Sequence, residues 1–140
     1  MDEPPSLAEL EDYAMQCLHA QNYPDDLHRF TLFSCSECRG TCFRVSIEHH
    51  TGSSDQNFRG IIWGECAKCG RICQMFTYTG EHRKPKKNEM PECDCGSRKF
   101  FVGQCERIEG EKGLTGFFDE GVIAGKCCIC SLNKVLAFYD

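Results

Sequence analysis

The sequence predicts an α+β chain dominated by antiparallel β-structure, with one N-terminal helix and two similar three-stranded units. A single stretch near the start shows helical spacing of apolar residues, whereas the rest divides into short β-branched and aromatic runs. One ten-residue pattern also occurs twice. GIIWGECAKC at 60–69 returns as GVIAGKCCIC at 121–130, at an offset of 61 residues. Such an internal repeat predicts two units of similar structure.

Composition limits the class of protein. The chain has 140 residues, 13 cysteines and a formal net charge of −5. Its acidic start lacks the basic and apolar regions of a secretory signal, and no apolar run is long enough to span a membrane. We therefore expect a cytoplasmic chain with no membrane partner, in which repeated Cys-x-x-Cys pairs are thiolate ligands rather than disulfides. The negative charge also disfavours general attraction to nucleic acid.

Residues 6–21 are predicted to form the one helix. Ser6 and Glu9 have the spacing of a capping box, and the apolar residues from Leu7 to Leu18 share one face. A helix of this kind can cover the protein's own core or bind a partner. The predicted sheets need cover, which favours the first alternative.

From residue 30 onward, the pattern alternates short strands with cysteine pairs. Each half reads as a cysteine turn, a strand, a loop, a strand, a second cysteine turn and a last strand. The predicted divisions are a helix and turn at 1–29, a first unit at 30–79, a linker at 80–92 and a second unit at 93–140. The linker holds four basic residues and two prolines without an interleaved aromatic residue, so a solvated connection is favoured over a nucleic-acid patch.

The paired cysteines indicate metal sites. Two cysteines separated by two residues lie on one tight turn, so that both thiolates can face one ion, and a following glycine permits the left-handed backbone of such turns. One turn supplies half of a tetrahedral site, and the returning strand of a hairpin brings the second turn. The predicted ligands form two sets: Cys35, Cys38, Cys66 and Cys69, then Cys93, Cys95, Cys127 and Cys130.

This organisation resembles the zinc-ribbon superfamily, which has rubredoxin-like cysteine turns on a three-stranded antiparallel sheet. The resemblance covers residues 35–78 and 93–139 and rests on the eight cysteines above. It implies two Zn²⁺ ions per chain, in structural rather than catalytic sites. The second unit departs from the pattern because Cys93-Asp94-Cys95 is one residue shorter than the other turns. The same thiolate shells would also suit iron in an electron carrier.

The repeat separates ligands from other cysteines. At the offset of 61, Ala67 corresponds to Cys128, so Cys128 is predicted to lie outside the metal site, although Cys128-x-Cys130 repeats the spacing of Cys93-x-Cys95 and is the alternative. Cys42 and Cys73 each follow a cysteine turn by four residues. They could meet across the first sheet as packed thiols or as a redox pair, and packed thiols are favoured.

The sequence is compatible with three functions. The favoured one is a protein-interaction or assembly module, supported by the acidic charge, the helix and aromatic residues such as the predicted loop pair Phe117-Phe118. Trp63 and Phe76 are expected in the sheet core. The second is nucleic-acid binding, if cations beside the cysteine turns gather into one patch: Arg39, Arg44, Lys68, Arg71, Arg98 and Lys99. The third is an enzyme, which we do not expect, because catalytic zinc keeps an open ligand position. His49-His50 is expected to be a solvated pair.

Overall fold

In a computed structural model, the chain forms one helix and eight strands over the described residues 6–19, 27–52, 58–78, 84–108 and 121–139. The predicted loop pair Phe117-Phe118 lies outside these ranges. The helix and strands are α1 (Ser6–His19), β1 (Leu27–Leu32), β2 (Cys42–His50), β3 (Gly60–Cys66), β4 (Ile72–Tyr78), β5 (Pro85–Glu89), β6 (Lys99–Ile108), β7 (Gly121–Cys127) and β8 (Asn133–Tyr139).

The strands form a single antiparallel sheet in the order β4-β3-β2-β6-β7-β8, with β1 paired to β6 and β5 paired to β2. The prediction of two separate three-stranded units is therefore wrong, although a mainly β chain with an N-terminal helix is correct. The two hairpin arrays, β2-β3-β4 and β6-β7-β8, join where Cys42–Arg44 pairs with Lys99–Phe101. Phe43 is opposite Phe100 at this junction, and both side chains are fully buried.

Each array is extended by a strand that precedes the other array in the chain. β1 precedes the first cysteine turn but pairs with β6 of the second array. β5 precedes the third cysteine turn, within the predicted linker, but pairs with the end of β2 in the first array. All five residues of β5 are exposed. This reciprocal exchange joins the arrays more extensively than the three pairs at the β2–β6 junction could alone.

The sheet curls around one core that draws on both arrays. Val45 and Ile62 from the first array and Val102 and Ile123 from the second belong to the same buried cluster. The two ends of the strand order also meet, since the ring centroids of Phe76 on β4 and of Tyr139 on β8 lie 4.6 Å apart. Two small arrays thus share a larger core, which is more stabilising than two separate ones because buried apolar area rises with size.

The repeated glycines make room for a bulge in each array. The pairing shifts register after Ile62 in β3 and after Ile123 in β7, positions that correspond at the offset of 61. A Cβ atom at Gly64 would collide with the Met75 side chain, and one at Gly125 would lie 3.2 Å from Leu136. Met75 and Leu136, the extra residues of β4 and β8, pack against the core. The second glycine of each repeat is therefore explained by packing.

Helix α1 covers the outer face of the second array. Leu10 and Ala14 are fully buried against Cys105, Val122 and Ala124. Every residue of β7 is buried, because the inner core lies on one side of this strand and the helix on the other. The structure thus places α1 as a cover for the chain's own sheet. Within the described ranges, no helix is long and apolar enough to cross a membrane.

Candidate metal centres

The first candidate centre lies at the end of the first array. Its cysteines come from two turns, one before β2 and one between β3 and β4: Cys35, Cys38, Cys66 and Cys69. All four sulfurs lie within 4.8 Å of one another. The closest pairs across the two turns are Cys38–Cys66 at 3.4 Å and Cys35–Cys69 at 3.6 Å between Sγ atoms. Hairpin β2-β3 brings the second turn back to the first, as the spacing predicts.

The second candidate centre has the same construction. Its cysteines lie before β6 and between β7 and β8: Cys93, Cys95, Cys127 and Cys130. The Sγ atoms of Cys93 and Cys130 are 3.2 Å apart, and those of Cys95 and Cys127 are 3.6 Å apart. In both centres one cysteine of each turn is buried and the other is more accessible. The structure therefore brings together all eight predicted ligands, in the two predicted sets of four.

The backbone of each turn is organised around its first cysteine. The amide N–H groups of Cys35, Cys66 and Cys127 donate to the carbonyl five residues later, at 2.8 Å in each case. In the shorter third turn, the Cys93 N–H donates to the carbonyl of Ser97, four residues later. The missing residue therefore tightens the turn without opening it, which is why Cys93-x-Cys95 still presents both sulfurs to one point.

The residue after the second cysteine is left-handed in all four turns. The φ angles are 64° at Arg39, 82° at Gly70, 94° at Gly96 and 70° at Ser131. Glycine adopts this conformation without the steric cost that a Cβ atom brings. The first turn therefore uses Arg39 rather than the later Gly40 at this position, and the fourth turn uses a serine.

Amide donation to sulfur makes one cysteine in each returning turn acidic. The Cys69 backbone N–H, and to a lesser extent that of Lys68, lowers the pKa of Cys66 to about 6 against its burial. Burial raises the pKa of Cys127, but the N–H groups of Cys130 and Ile129 outweigh it and hold the pKa at about 6. Thiolate is the form that binds metal, so these turns prepare a sulfur for coordination.

The donor sets fit a tetrahedral soft-metal site. Zn–S bonds of about 2.3 Å place neighbouring sulfurs about 3.8 Å apart, slightly wider than the closest pairs here. Both described clusters contain cysteine only, so four thiolates would close the shell of one ion without an open position. The two groups of four cysteines could therefore hold two metal ions.

Cys42 and Cys128 form a disulfide, with 6.6 Å between their Cα atoms. Cys42 therefore does not pair with Cys73, an interaction that the sequence left open. Cys42 begins β2 at the junction with β6, where the Cys128 N–H donates to the Lys99 carbonyl at 3.0 Å. The thiol of Cys73 instead faces the carbonyl of Gly64. Sequence patterns within one array could not predict this disulfide, because it connects the two arrays next to both centres.

His49-His50 is not a solvated pair, contrary to prediction. His50 is buried and its Nε2 atom lies 2.8 Å from Glu48, whereas His49 contacts Glu89 on β5 at 2.9 Å. Strand β2 continues through both residues, and β5, which lies in the predicted linker, covers its end. No described cluster with metal-binding geometry includes either histidine.

The two aromatic residues expected in the core differ. Phe76 packs against the inner core. Trp63 lies half-buried on the outer face of β3, where its indole N–H faces Glu48 at 3.4 Å.

The cations beside the cysteine turns gather only in part. Arg44, Arg98 and Lys99 line one open cleft of about 620 Å³ beside the second centre. Arg71 instead pairs with Glu37 at 3.5 Å, and Arg39 occupies a left-handed turn position.

Comparisons with family models, with curated proteins and with solved structures find no match to this chain.

Proposed function

We propose that this chain is a two-zinc scaffold whose metal sites hold a protein-interaction surface together. The arrangement of eight cysteines in two closed sets supports this proposal most directly. A closed thiolate shell is typical of structural zinc, whereas catalytic zinc keeps a position for water or substrate. The role proposed is therefore not enzymatic. The resemblance to zinc ribbons supports the choice of zinc, and four thiolates suit its tetrahedral preference.

The first experiment counts metal ions and assigns ligands. Native mass spectrometry of the purified full chain should find two zinc ions. Cys66→Ser and Cys127→Ser should each lose one, since each removes one ligand of a different set. Cys73→Ser is the matched control, because this thiol lies beside the first cluster but outside it. Two zinc ions in Cys127→Ser together with one in Cys128→Ser would contradict the ligand assignment.

Iron is the alternative metal for the same donors. An iron-loaded chain would be red in its oxidised form and would favour electron transfer over a scaffold. Metal analysis of protein purified from its native source separates the two, since colourless protein with two zinc ions supports the scaffold.

The interaction role is supported by the exposed surface around the cysteine turns. In this acidic chain, helix α1 covers the chain's own sheet, so the cysteine turns remain as exposed surface. Ile72 and Ile129 beside these turns are 65% and 70% exposed. Affinity capture from the native source should recover a protein partner. Recovery of nucleic acid in a salt-sensitive complex would instead support the nucleic-acid alternative.

A further inference from the structure

A cleft beside the second candidate metal centre combines positive charge with exposed aliphatic side chains. Its walls include Arg44 from β2, Arg98 and Lys99 at the start of β6, Met90 before the third cysteine turn and Ile129 within the fourth. Met90 is 46% exposed and Ile129 is 70% exposed. The cleft therefore draws on both arrays and exists only because they are joined.

The cations at the junction have little compensation from carboxylates, and Cys95 of the second centre lines the same cleft. Arg44 and Lys99 are direct cross-strand partners, and like charges in this position are destabilising. Glu65 lies 3.6 Å from Arg44, but both side chains are nearly half exposed, so this pair offsets little. Within the described ranges, no ion pair is found for Arg98 or Lys99. An anionic ligand would stabilise this arrangement.

The repeat shows that the second array has aliphatic residues at two positions where the first array has cations. At the offset of 61, Lys68 corresponds to Ile129 and Arg71 corresponds to Leu132. The returning turn of the first array is thus cationic, whereas the same turn beside the cleft exposes two aliphatic residues, with Leu132 51% exposed. An exposed aliphatic pair next to cations is typical of a surface that binds a protein.

The disulfide holds the cleft in place. Cys42 lies two residues before Arg44, and Cys128 lies directly before Ile129. The bond therefore lies beside two of the residues that line the cleft and links the two arrays that carry them. A preorganised site loses less entropy on binding.

We propose that this cleft binds an acidic peptide segment of a partner protein, with carboxylates facing Arg98 and Lys99 and a large apolar side chain against Met90 and Ile129. This inference rests on the proposed interaction role. A peptide is favoured over a nucleic acid because the apolar part of the lining is aliphatic and offers no aromatic platform for base stacking. A cleft of this volume is within the range that encloses ligand groups.

Selection from a random 12-residue peptide library on the zinc-loaded full chain tests the proposal without a known partner. We expect the enriched peptides to carry net negative charge and at least one large apolar residue. Fluorescence anisotropy with a labelled enriched peptide then gives Kd for each variant. Arg98→Gln with Lys99→Gln should weaken binding at least tenfold and flatten its salt dependence, and Ile129→Ser should weaken it several-fold.

Matched controls come from the equivalent turn of the first array. Lys68→Gln and Ile72→Ser change an exposed cation and an exposed aliphatic residue that do not line the cleft, so Kd should stay within twofold. Zinc is counted in every sample. If the double variant loses zinc to a chelator but binds the peptide with unchanged affinity, the proposal is overturned. These cations would then stabilise the metal-bound thiolates instead.

Other results would also overturn it. One is selection of basic peptides, or of none. Another is a labelled oligothymidine that binds more tightly than the peptides and depends on the same residues. In any of these cases two retained zinc ions would leave the metal scaffold standing, so failure of the cleft and failure of the metal sites are distinguishable.

Discussion

At the scale of single residues, the cysteine turns explain both what the sequence predicts and what it misses. Spacing and the internal repeat together identify all eight clustered cysteines, because a short turn has few ways to present two sulfurs together and the repeat favours Cys127 over Cys128. The left-handed positions at Gly70 and Gly96 are also recognisable from the sequence. Those at Arg39 and Ser131 are not, since only the backbone pattern of the turn requires them. The Cys42–Cys128 bond escaped prediction because the two residues meet only when the arrays join.

The left-handed positions give a prediction about stability. Replacing Ser131 or Arg39 by glycine should raise the free energy of unfolding by up to about 1 kcal/mol, because each removes a Cβ atom from a disfavoured conformation. Gly70→Ala and Gly96→Ala should lower it by a similar amount, although neither new Cβ would meet a neighbour within 4 Å. Urea unfolding of the zinc-loaded variants measures both changes. If none of the four substitutions changes the free energy of unfolding, the metal fixes the conformation of these turns regardless of backbone preference.

At the scale of elements, the outer faces of the two arrays explain where the helix docks. Cys105, Val122 and Ala124 make the outer face of the second array apolar. The corresponding region of the first array carries Glu48, Ile61 and Trp63 and is only partly buried. Docking an apolar helix face on the second array is more stabilising than docking it on the first, because the first would require burial of the Glu48 carboxylate, which is costly. The helix was predictable from its spacing, but its destination depends on which sheet faces are left uncovered.

A buried lysine adds a polar tie between helix and sheet. Lys126 is 1% exposed, and its ammonium donates to the carbonyl of Ser131 at 2.8 Å and to Glu9 on α1 at 3.0 Å. Glu9 is 66% exposed, so this part of the contact is screened by water. Glu9→Gln should therefore cost under about 1 kcal/mol. Lys126→Met should cost about 1–3 kcal/mol, because the Ser131 carbonyl loses its donor. Denaturant unfolding measures both, and a larger loss for Glu9→Gln would contradict this ranking.

Cys105 reports on helix docking. Its burial beneath α1 raises the pKa of this thiol to about 11. Because the pKa is raised in the folded state, this thiol favours folding below the pKa of the unfolded chain, and the benefit is lost as pH rises towards 11. At pH 8 it should react with iodoacetamide much more slowly than a free thiol. Leu10→Ala should speed the reaction by opening a cavity between helix and sheet, whereas Ile72→Ser, far from this contact, should not. Rapid labelling in the unchanged chain would show that the helix opens readily.

At the scale of the whole molecule, the exchange of β1 and β5 explains why two separate units were a wrong prediction. Strand periodicity shows which residues face a core, but it does not identify the neighbouring strand. β5 consists of Pro85-Lys86-Lys87-Asn88-Glu89, which is typical of a solvated connection and suits an exposed edge. The sequence also does not predict that Phe43 and Phe100 are buried together at the junction, since an aromatic residue in each unit could have filled a separate core. Fold class depends here on long-range pairing that local patterns do not encode.

The shared sheet predicts that neither half folds alone, even with zinc. A fragment of residues 1–79 lacks β6, the partner of β1, and a fragment of residues 80–140 lacks β2, the partner of β5. Each would also expose its half of the common core. With Cys42→Ser in place to prevent mixed disulfides, each zinc-saturated fragment should lack a cooperative urea transition. An equimolar mixture should recover the near-UV circular dichroism of the intact Cys42→Ser chain. Two fragments that each melt cooperatively with one zinc ion, and show no affinity for each other, would mean that the arrays are independent units.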